Sequence, residues 1–242
     1  MGVIEKIVLH EIAGTACMTL LGCGVVANVL LKKTGGHNGG PLLIFFGWGL
    51  AVYCGVWIAF DTGAHLNPAI TLALWLGPAS EYAKGIPITL DNTLAYFTGE
   101  FVGAWLGAVL CYLCYKKQYD DTEDATTILA TFSTIPQIRS RVWNCVTEAI
   151  GTFVLVFVVI MFGHTPNGLG PLAVALLVVA IGASLGGPTG YAINPARDMG
   201  PRLAHAMLPI QHKGANDWGY AWVPFVGPII GSSLAALVAT VY

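Results

Sequence analysis

The sequence predicts an all-α membrane protein with six transmembrane helices and two re-entrant half-helices, arranged as an inverted repeat. Three observations predict this fold. Only 10% of the 242 residues are charged and the mean hydropathy is +0.69, whereas a soluble domain carries about 25% charged residues. Several apolar runs approach the ~20 residues that a spanning helix requires. Two shorter apolar runs each begin with the motif Asn-Pro-Ala.

The long apolar runs follow one another along the chain and are separated by polar turns. They lie at 7–31, 41–60, 93–115, 143–163, 170–187 and 220–242. The longest polar stretch lies at about 116–141 and divides the chain. We therefore expect a single domain over 1–242, made of a first repeat at 1–115, a connecting loop at 116–141 and a second repeat at 142–242.

Each Asn-Pro-Ala motif is predicted to begin a half-helix. Asn is a preferred N-cap, and Pro is tolerated at the first helical position because the missing N–H would be unpaired there anyway. The first half-helix is expected from Pro68 to about Leu76, and the second from Pro195 to about Met207. About nine residues at ~1.5 Å each span roughly 14 Å, about half of a bilayer core. The two N-termini are therefore expected to meet at mid-membrane around a pore.

The parts before and after the polar stretch repeat the same order of motifs. Glu-Ile-Ala-Gly-Thr beginning at Glu11 matches Glu-Ala-Ile-Gly-Thr beginning at Glu148, and Phe-Val-Gly-x-x-x-Gly occurs from Phe101 and again from Phe225. Three spans per half is an odd number, so the halves cross the membrane in opposite senses. Such an inverted repeat places binding or conduction at the midplane. The Gly-x-x-x-Gly motifs predict close helix crossings.

The two motif regions contain the candidate groups for binding a solute. A solute that leaves bulk water needs replacement hydrogen-bond donors and acceptors. The side-chain amides of Asn67 and Asn194 are candidate donors at the midplane, unless both residues act only as helix caps. Non-helical backbone at membrane depth is tolerated where it lines a cavity or is buried in protein. The candidate acceptors are therefore the carbonyls of Gly63, Ala64, His65, Gly190, Tyr191 and Ala192.

The stretches GAHLNPA at 63–69 and GYAINPARD at 190–198 resemble those of the major intrinsic protein family, the aquaporins and glycerol facilitators. The resemblance covers essentially the whole chain. Within this family, the chain is most similar to the bacterial-type glycerol-facilitator branch. The similarity lies in the sequences of both stretches, in Asp198 after Arg197, and in Trp48-Gly49-Leu50. The resemblance implies the aquaporin fold and a homotetramer with one passive pore per subunit in the plasma membrane. It implies glycerol and water as solutes, with no cofactor, no metal and no enzyme activity.

The resemblance further implies a selectivity constriction made by Trp48, Gly182, Tyr191 and Arg197. Arg197 would donate hydrogen bonds, Trp48 would form an apolar wall, and Gly182 would leave room where water-selective members carry His. Tyr191 stands where Phe is usual in facilitators, and its hydroxyl adds a donor and an acceptor. Undissociated lactic acid is therefore a further candidate solute. The half-helix N-termini and Arg197 would exclude cations.

Other functions remain open from the sequence. Glu11 and Glu148 are acids in matching apolar segments. By resemblance they accept hydrogen bonds from loop backbone and hold the loops, but in a secondary active transporter they would relay protons. A water-selective aquaporin is another alternative. Gly-x-Ser-x-Gly at 182–186 matches a serine-hydrolase motif, yet it ends a predicted spanning helix rather than a strand-to-helix turn.

Charge and cysteine content limit the remaining choices. The net charge of −2 argues against a nucleic-acid partner. The six cysteines lie in or beside apolar segments and are expected to be packing residues. The positive-inside rule predicts both termini outside, whereas the resemblance implies both termini in the cytoplasm. The basic residues opposite the termini are Lys32, Lys33, Lys116, Lys117, Arg139, Arg141 and Lys213; those on the side of the termini are Lys6 and Lys84.

Overall fold

The computed structural model describes residues 1–164 and 168–242, and its helices follow the predicted apolar runs. Within these residues the helices are α1 (Val3–Leu30), α2 (Gly40–Ala59), α3 (Pro68–Leu76), α4 (Leu90–Cys114), α5 (Lys116–Asp121), α6 (Ala125–Ala130), α7 (Arg141–His164), α8 (Pro171–Leu185), α9 (Pro195–Met207) and α10 (Val223–Ala239). A 3₁₀ turn (Phe60–Thr62) follows α2. A small antiparallel hairpin of β1 (Glu81–Ala83) and β2 (Ile86–Pro87) lies before α4, an addition to the predicted all-α fold.

Within the described part of the chain, α1, α2 with its 3₁₀ turn, α4 and α7 are long and apolar enough to cross a membrane. Helices α8 and α10 are also apolar, with 15 and 17 residues. At ~1.5 Å per residue they are about 23–26 Å long, slightly shorter than the ~30 Å hydrocarbon core of a bilayer. These helices correspond to the six predicted runs.

The half-helices α3 and α9 have the bounds that the sequence predicts. Both begin with Pro after an Asn in extended backbone. The Oδ1 atom of Asn67 accepts a hydrogen bond from the amide of Ala69 at 2.9 Å. Asn194 accepts in the same way from the amide of Ala196 at 3.0 Å. Each Asn therefore satisfies a backbone N–H that the first turn of a helix cannot pair internally.

Glycines bring the long helices of each half into backbone contact. A Cβ atom on Gly103 of α4 would lie 2.6 Å from the carbonyl oxygen of Ile12 in α1. In the second half, a Cβ on Gly227 of α10 would lie 2.6 Å from the Cβ of Glu148 in α7. Real Cβ contacts are essentially never this short. Both Gly-x-x-x-Gly motifs therefore lie at close helix crossings, and these crossings fix the helices that carry Glu11 and Glu148.

The segment 116–141, which the sequence predicts as a connecting loop, contains the short helices α5 and α6. Asp124 begins α6 by accepting a hydrogen bond from the amide of Thr127 at 2.9 Å. After α6 the chain turns into the protein, where Phe132 and Thr134 are buried. The segment is therefore a packed part of the fold beside α9 as well as a connection.

Candidate functional site

The two loops that precede the half-helices share an unusual backbone. Left-handed φ angles occur at matching positions: Gly63 (+87°), Ala64 (+50°) and Leu66 (+55°) in the first loop, and Gly190 (+82°), Tyr191 (+38°) and Ile193 (+44°) in the second. Such φ values are uncommon for residues other than Gly and are genuine outliers for a β-branched residue. Each strained residue costs about 1–3 kcal/mol and persists only where its surroundings hold it.

One buried glutamate holds each loop. Each carboxylate accepts hydrogen bonds from two consecutive backbone amides of its loop: Glu11 from His65 (3.2 Å) and Leu66 (2.8 Å), and Glu148 from Ala192 (3.0 Å) and Ile193 (2.8 Å). Glu11 is 0% and Glu148 is 1% exposed. Both oxygens of each carboxylate accept a hydrogen bond from the loop. Each glutamate therefore holds the backbone of its loop in place.

The side chains of the two Asn residues join the loops to each other. The Nδ2 atom of Asn67 donates a hydrogen bond to the carbonyl of Ile193 at 2.9 Å. Reciprocally, the Nδ2 atom of Asn194 donates to the carbonyl of Leu66 at 2.7 Å. A side-chain amide carries two N–H groups, so each Asn keeps one N–H beyond this contact. The two residues are therefore more than helix caps.

A cavity of about 160 Å³ is bordered by both loops and both Asn side chains. Trp48 and Arg197 also border it, and the rest of its wall is aliphatic, made of Met18, Val52, Val56, Ile70, Leu155, Val159, Val174 and Val178. Of the candidate acceptor residues, the cavity is bordered by Gly63, Ala64, His65, Tyr191 and Ala192. Their carbonyl oxygens accept no hydrogen bond within residues 1–164 and 168–242. The lining thus combines free backbone acceptors with aliphatic side chains.

Gly190, the remaining candidate acceptor, lies away from this lining. A Cβ atom on Gly190 would lie 3.4 Å from the Cγ2 atom of Thr134, in the segment after α6. Its own amide donates to the carbonyl of Gly186 at 2.8 Å. Gly190 therefore contributes the left-handed turn at the start of the loop and packs against the connecting segment.

Trp48 and Arg197 meet at the cavity. The guanidinium carbon of Arg197 lies 3.9 Å from the centre of the Trp48 ring. The Nη1 atom of Arg197 also donates to the carbonyl of Phe132 at 3.3 Å. Part of the Trp48 ring expected to face a solute therefore faces the guanidinium in this conformation. Phe132 was not among the residues predicted from the sequence, because it lies in the polar connecting segment.

Tyr191 lies at the same cavity as Trp48 and Arg197, and its ring packs against Gly182. A Cβ atom on Gly182 would lie 2.9 Å from Cζ of Tyr191 and 2.9 Å from Cδ1 of Phe45. The room that Gly182 leaves is therefore filled by the Tyr191 ring. Tyr191 borders the cavity, and its hydroxyl is buried, 3.1 Å from the Cβ position of Gly182, with no hydrogen-bond partner among the described residues. It is thus an unused donor and acceptor.

Behind Arg197 lies a charged network that the sequence analysis missed. Asp198 accepts hydrogen bonds from the amide and the hydroxyl of Thr134, both at 2.7 Å. It also pairs with Arg202, which is 0% exposed and donates to the carbonyl of Asn216 at 2.8 Å. The network ties the segment that contains Thr134 and the segment that contains Asn216 to α9, the helix that carries Arg197. The signal in the sequence was the spacing of Asp198 and Arg202, which are four residues apart in a predicted helix and can therefore form an ion pair.

A third buried glutamate, Glu100 of α4, was also not predicted. The Thr71 hydroxyl donates to Glu100 at 2.7 Å and lies 2.8 Å from Nδ1 of His65. The His65 ring stacks on Tyr96 with centroids 4.0 Å apart. Glu100 has no acidic counterpart in the second half, where Pro224 stands at the matching position. The comparison of repeats therefore could not find it.

The serine-hydrolase motif has the wrong local structure for that chemistry. Its first four residues, including Ser184, belong to α8, which ends at Leu185. A nucleophile elbow requires a strand followed by a sharp turn into a helix. Within the described residues, no group of three or more His, Cys, Asp or Glu side chains is placed to hold a metal ion.

Comparison with known proteins identifies the family. The model of the family described as "Major intrinsic protein" matches residues 3–239. The chain belongs to the major intrinsic protein family. This family membership confirms the resemblance that the two Asn-Pro-Ala stretches predict.

Individual members of the major intrinsic protein family agree with this assignment. The chain is 46% identical over 235 residues to a "Glycerol uptake facilitator protein" of Streptococcus pneumoniae, covering 96% of this chain and 97% of the relative. It is 46% identical over 236 residues to "Glycerol uptake facilitator protein 3" of Lactiplantibacillus plantarum, with 96% and 95% covered. The X-ray structure of the aquaglyceroporin from Plasmodium falciparum matches with a TM-score of 0.80 at 27% identity, covering 97% and 94% of the chains. The predicted aquaporin fold is confirmed.

The contacts of Glu148 generate a first prediction. In Glu148→Gln, one of the two backbone amides that Glu148 binds must face an NH₂ group. An unsatisfied buried donor costs about 1–3 kcal/mol, so the thermal stability of the detergent-solubilised protein should fall. Passive solute flux per folded protein should survive with a modest loss and no new pH dependence.

Glu123→Gln, at an exposed site in the connecting segment, is the matched control and should leave both quantities unchanged. Abolished flux in a Glu148→Gln protein of normal stability would contradict the supporting role and favour a proton relay. Stopped-flow light scattering of proteoliposomes measures the flux, and a thermal melt measures the stability.

Proposed function

We propose that this protein is a passive channel for small uncharged solutes, with glycerol and water as its solutes. The observation that carries the proposal is the mixed lining of the cavity, which combines unpaired backbone carbonyls with aliphatic side chains. Glycerol is amphipathic in the same way, since its hydroxyls need hydrogen-bond partners and its carbon chain does not. The relatives named glycerol uptake facilitators support the choice of solute.

The site groups have distinct roles in this proposal. The carbonyls of the two loops accept hydrogen bonds from solute hydroxyls and replace water that is lost on entry. The remaining N–H groups of Asn67 and Asn194 donate to the solute at the midplane. Arg197 donates at the constriction, and Trp48 and Tyr191 limit its width. Glu11 and Glu148 hold the loops and do not contact the solute.

Ion exclusion follows from the same elements. Helices α3 and α9 both present their N-termini to the cavity, which is bordered by their capping residues Asn67 and Asn194. A helix N-terminus carries about half a positive elementary charge. Together with the guanidinium of Arg197, the two termini oppose the entry of cations and protons at the point where they would lose their hydration.

Neither alternative function gains a specific observation. A secondary transporter that used Glu11 or Glu148 would need an exchangeable carboxylate, but both are buried and bound to backbone amides. A water-selective member is expected to carry His where this chain has Gly182, and the relatives described above are named glycerol uptake facilitators. The passive solute channel is the function that these observations favour.

We further propose a homotetramer in the cell membrane with both termini in the cytoplasm. The assignment of termini rests on the family resemblance, since the basic residues lie mostly on the opposite side. Some of these basic residues are paired there, as in Arg139 with Asp217 at 2.6 Å and Lys33 with Asp121 at 2.7 Å. Exposed apolar side chains on the helices, such as Leu113 and Leu237, are available for contact with lipid or neighbouring subunits.

The proposed function predicts that the purified protein makes liposomes permeable to both glycerol and water. In stopped-flow light scattering, proteoliposomes should shrink in an osmotic gradient and then re-swell as glycerol enters. Liposomes without protein provide the baseline. Vesicles that pass water but exclude glycerol would contradict the proposal and favour the water-selective alternative.

A second test concerns Arg197. Arg197→Ala removes the fixed charge and a donor worth about 1.5–3 kcal/mol. Discrimination between glycerol and other small uncharged solutes such as urea should therefore fall by roughly tenfold, and a cation or proton leak should appear. Arg141→Ala, at an exposed site outside the cavity, should leave the solute ranking unchanged. The same ranking in a properly assembled Arg197→Ala channel would remove Arg197 from the constriction.

We also propose undissociated lactic acid as a solute, on the basis of the Tyr191 hydroxyl. A neutral carboxylic acid carries a donor and an acceptor on one carbon, which the unpaired hydroxyl and Arg197 can match. The lactate anion would have to lose its hydration, which costs several kcal/mol or more even with partial compensation. Only the neutral form is therefore expected to pass.

The corresponding test measures acid and glycerol flux in the same proteoliposomes. Acid flux should fall as pH rises above the pKa of the acid itself, because the neutral fraction falls. Tyr191→Phe should lower acid flux by roughly tenfold, the value of one hydrogen bond of about 1–1.5 kcal/mol, and glycerol flux by less. Tyr242→Phe, at an exposed residue, is the control. Equal effects on both solutes, or pH-independent acid flux, would refute the proposal.

A further inference from the structure

We propose that Gly22 of α1, which does not contact the solute, sets the width of the constriction by positioning Trp48. The three atoms nearest to a Cβ built on Gly22 are all in the Trp48 ring: Cε3, Cζ3 and Cη2. These are consecutive ring atoms at nearly equal distance, so the Cβ would stand above the ring face rather than at its edge. The bare main chain at Gly22 is therefore the surface on which Trp48 rests.

The other face of the Trp48 ring is turned towards Arg197. The guanidinium carbon lies 3.9 Å from the ring centre, and one face has no room for both this group and the main chain of α1. Trp48 is therefore held between Gly22 behind it and Arg197 in front of it. Arg197 is itself restrained by the carbonyl of Phe132 at 3.3 Å. Because Trp48 and Arg197 both border the cavity, any movement of the ring away from Gly22 narrows the cavity.

Helix α1 is held in place beside Gly22 by its close packing against α4. Six residues before Gly22, the carbonyl of Ala16 is in contact with Gly107 of α4, and a Cβ on Gly107 would also lie 2.9 Å from the Cβ of Thr19. Two helices in backbone contact have no free volume between them, and packed interiors are only slightly compressible. A methyl group at position 22 therefore displaces the Trp48 ring rather than the helix.

The second aromatic side chain of the constriction is supported in the same way. A Cβ atom on Gly182 of α8 would lie 2.9 Å from Cζ of Tyr191. One ring thus rests on a glycine in the first half and the other on a glycine in the second half. The bore between them depends on two main-chain surfaces as well as on the rings themselves.

The inference rests on the proposed constriction and is tested by the ratio of glycerol to water permeability in proteoliposomes. A methyl group at position 22 moves the Trp48 ring towards Arg197 and narrows the constriction, which hinders glycerol more than the smaller water molecule. Gly22→Ala should therefore lower the ratio by roughly tenfold or more. Gly24→Ala is the matched control in the same helix, because its Cβ would meet nothing nearer than Cε2 of Tyr115 at 4.0 Å. It should keep the wild-type ratio.

A double variant separates positioning from general damage to the fold. Trp48→Phe removes the ring atoms that lie over Gly22, so adding Gly22→Ala to Trp48→Phe should change the ratio by less than about twofold. Rescue of assembly in the double variant, should Gly22→Ala alone assemble poorly, also supports the inference. An unchanged ratio in Gly22→Ala, or an equal loss in both backgrounds, overturns it. Wild-type glycerol flux in the same vesicles tests the channel function independently.

Discussion

The buried carboxylates of Glu11 and Glu148 satisfy the constraint on which the rest of the structure depends. Each re-entrant loop contains three residues with left-handed φ angles before an Asn in extended backbone, so its backbone has neither the regular pairing of a helix nor that of a sheet. A bilayer core offers no water to the unpaired amides. Each carboxylate accepts two of them. The carbonyls of Leu66 and Ile193 accept from the Asn side chains, and the other loop carbonyls that border the cavity are left free by the described residues. The strained loop backbone, the two buried glutamates and the free carbonyls at the pore therefore depend on one another.

The two halves complete each other across the midplane. Asn67 caps the helix of its own half and donates to Ile193 of the other, and Asn194 does the same towards Leu66. Neither loop has all its hydrogen-bond partners within its own half. Close approach of the flanking helices at glycines such as Gly103 brings the acids within reach of the loops. The pore is therefore a property of the assembled pair of repeats.

Features set by neighbouring residues could be predicted from the sequence, and features set by the folding of the chain could not. The bounds of α3 and α9 were predicted because a cap, a proline and a stop are local signals. The contact of Arg197 with the Phe132 carbonyl was not predicted, because the two residues are 65 positions apart. The support of Tyr191 by Gly182 was not predicted, because it depends on how the loop folds back onto the end of α8. Glu100 was missed for a different reason, since it breaks the repeat on which the analysis of acids relied.

The inverted symmetry of the backbone does not extend to the polar side chains. Four residues after the capping Asn, Thr71 in the first half donates to Glu100, whereas Asp198 in the second half binds Thr134 and Arg202. The charged constriction consequently lies on one side of the midplane only, while the helix N-termini oppose cations from both sides. An asymmetric barrier changes the rate of passage equally in both directions and cannot store free energy. A filter at one mouth is therefore compatible with passive flow in either direction, and only the solute gradient sets the direction.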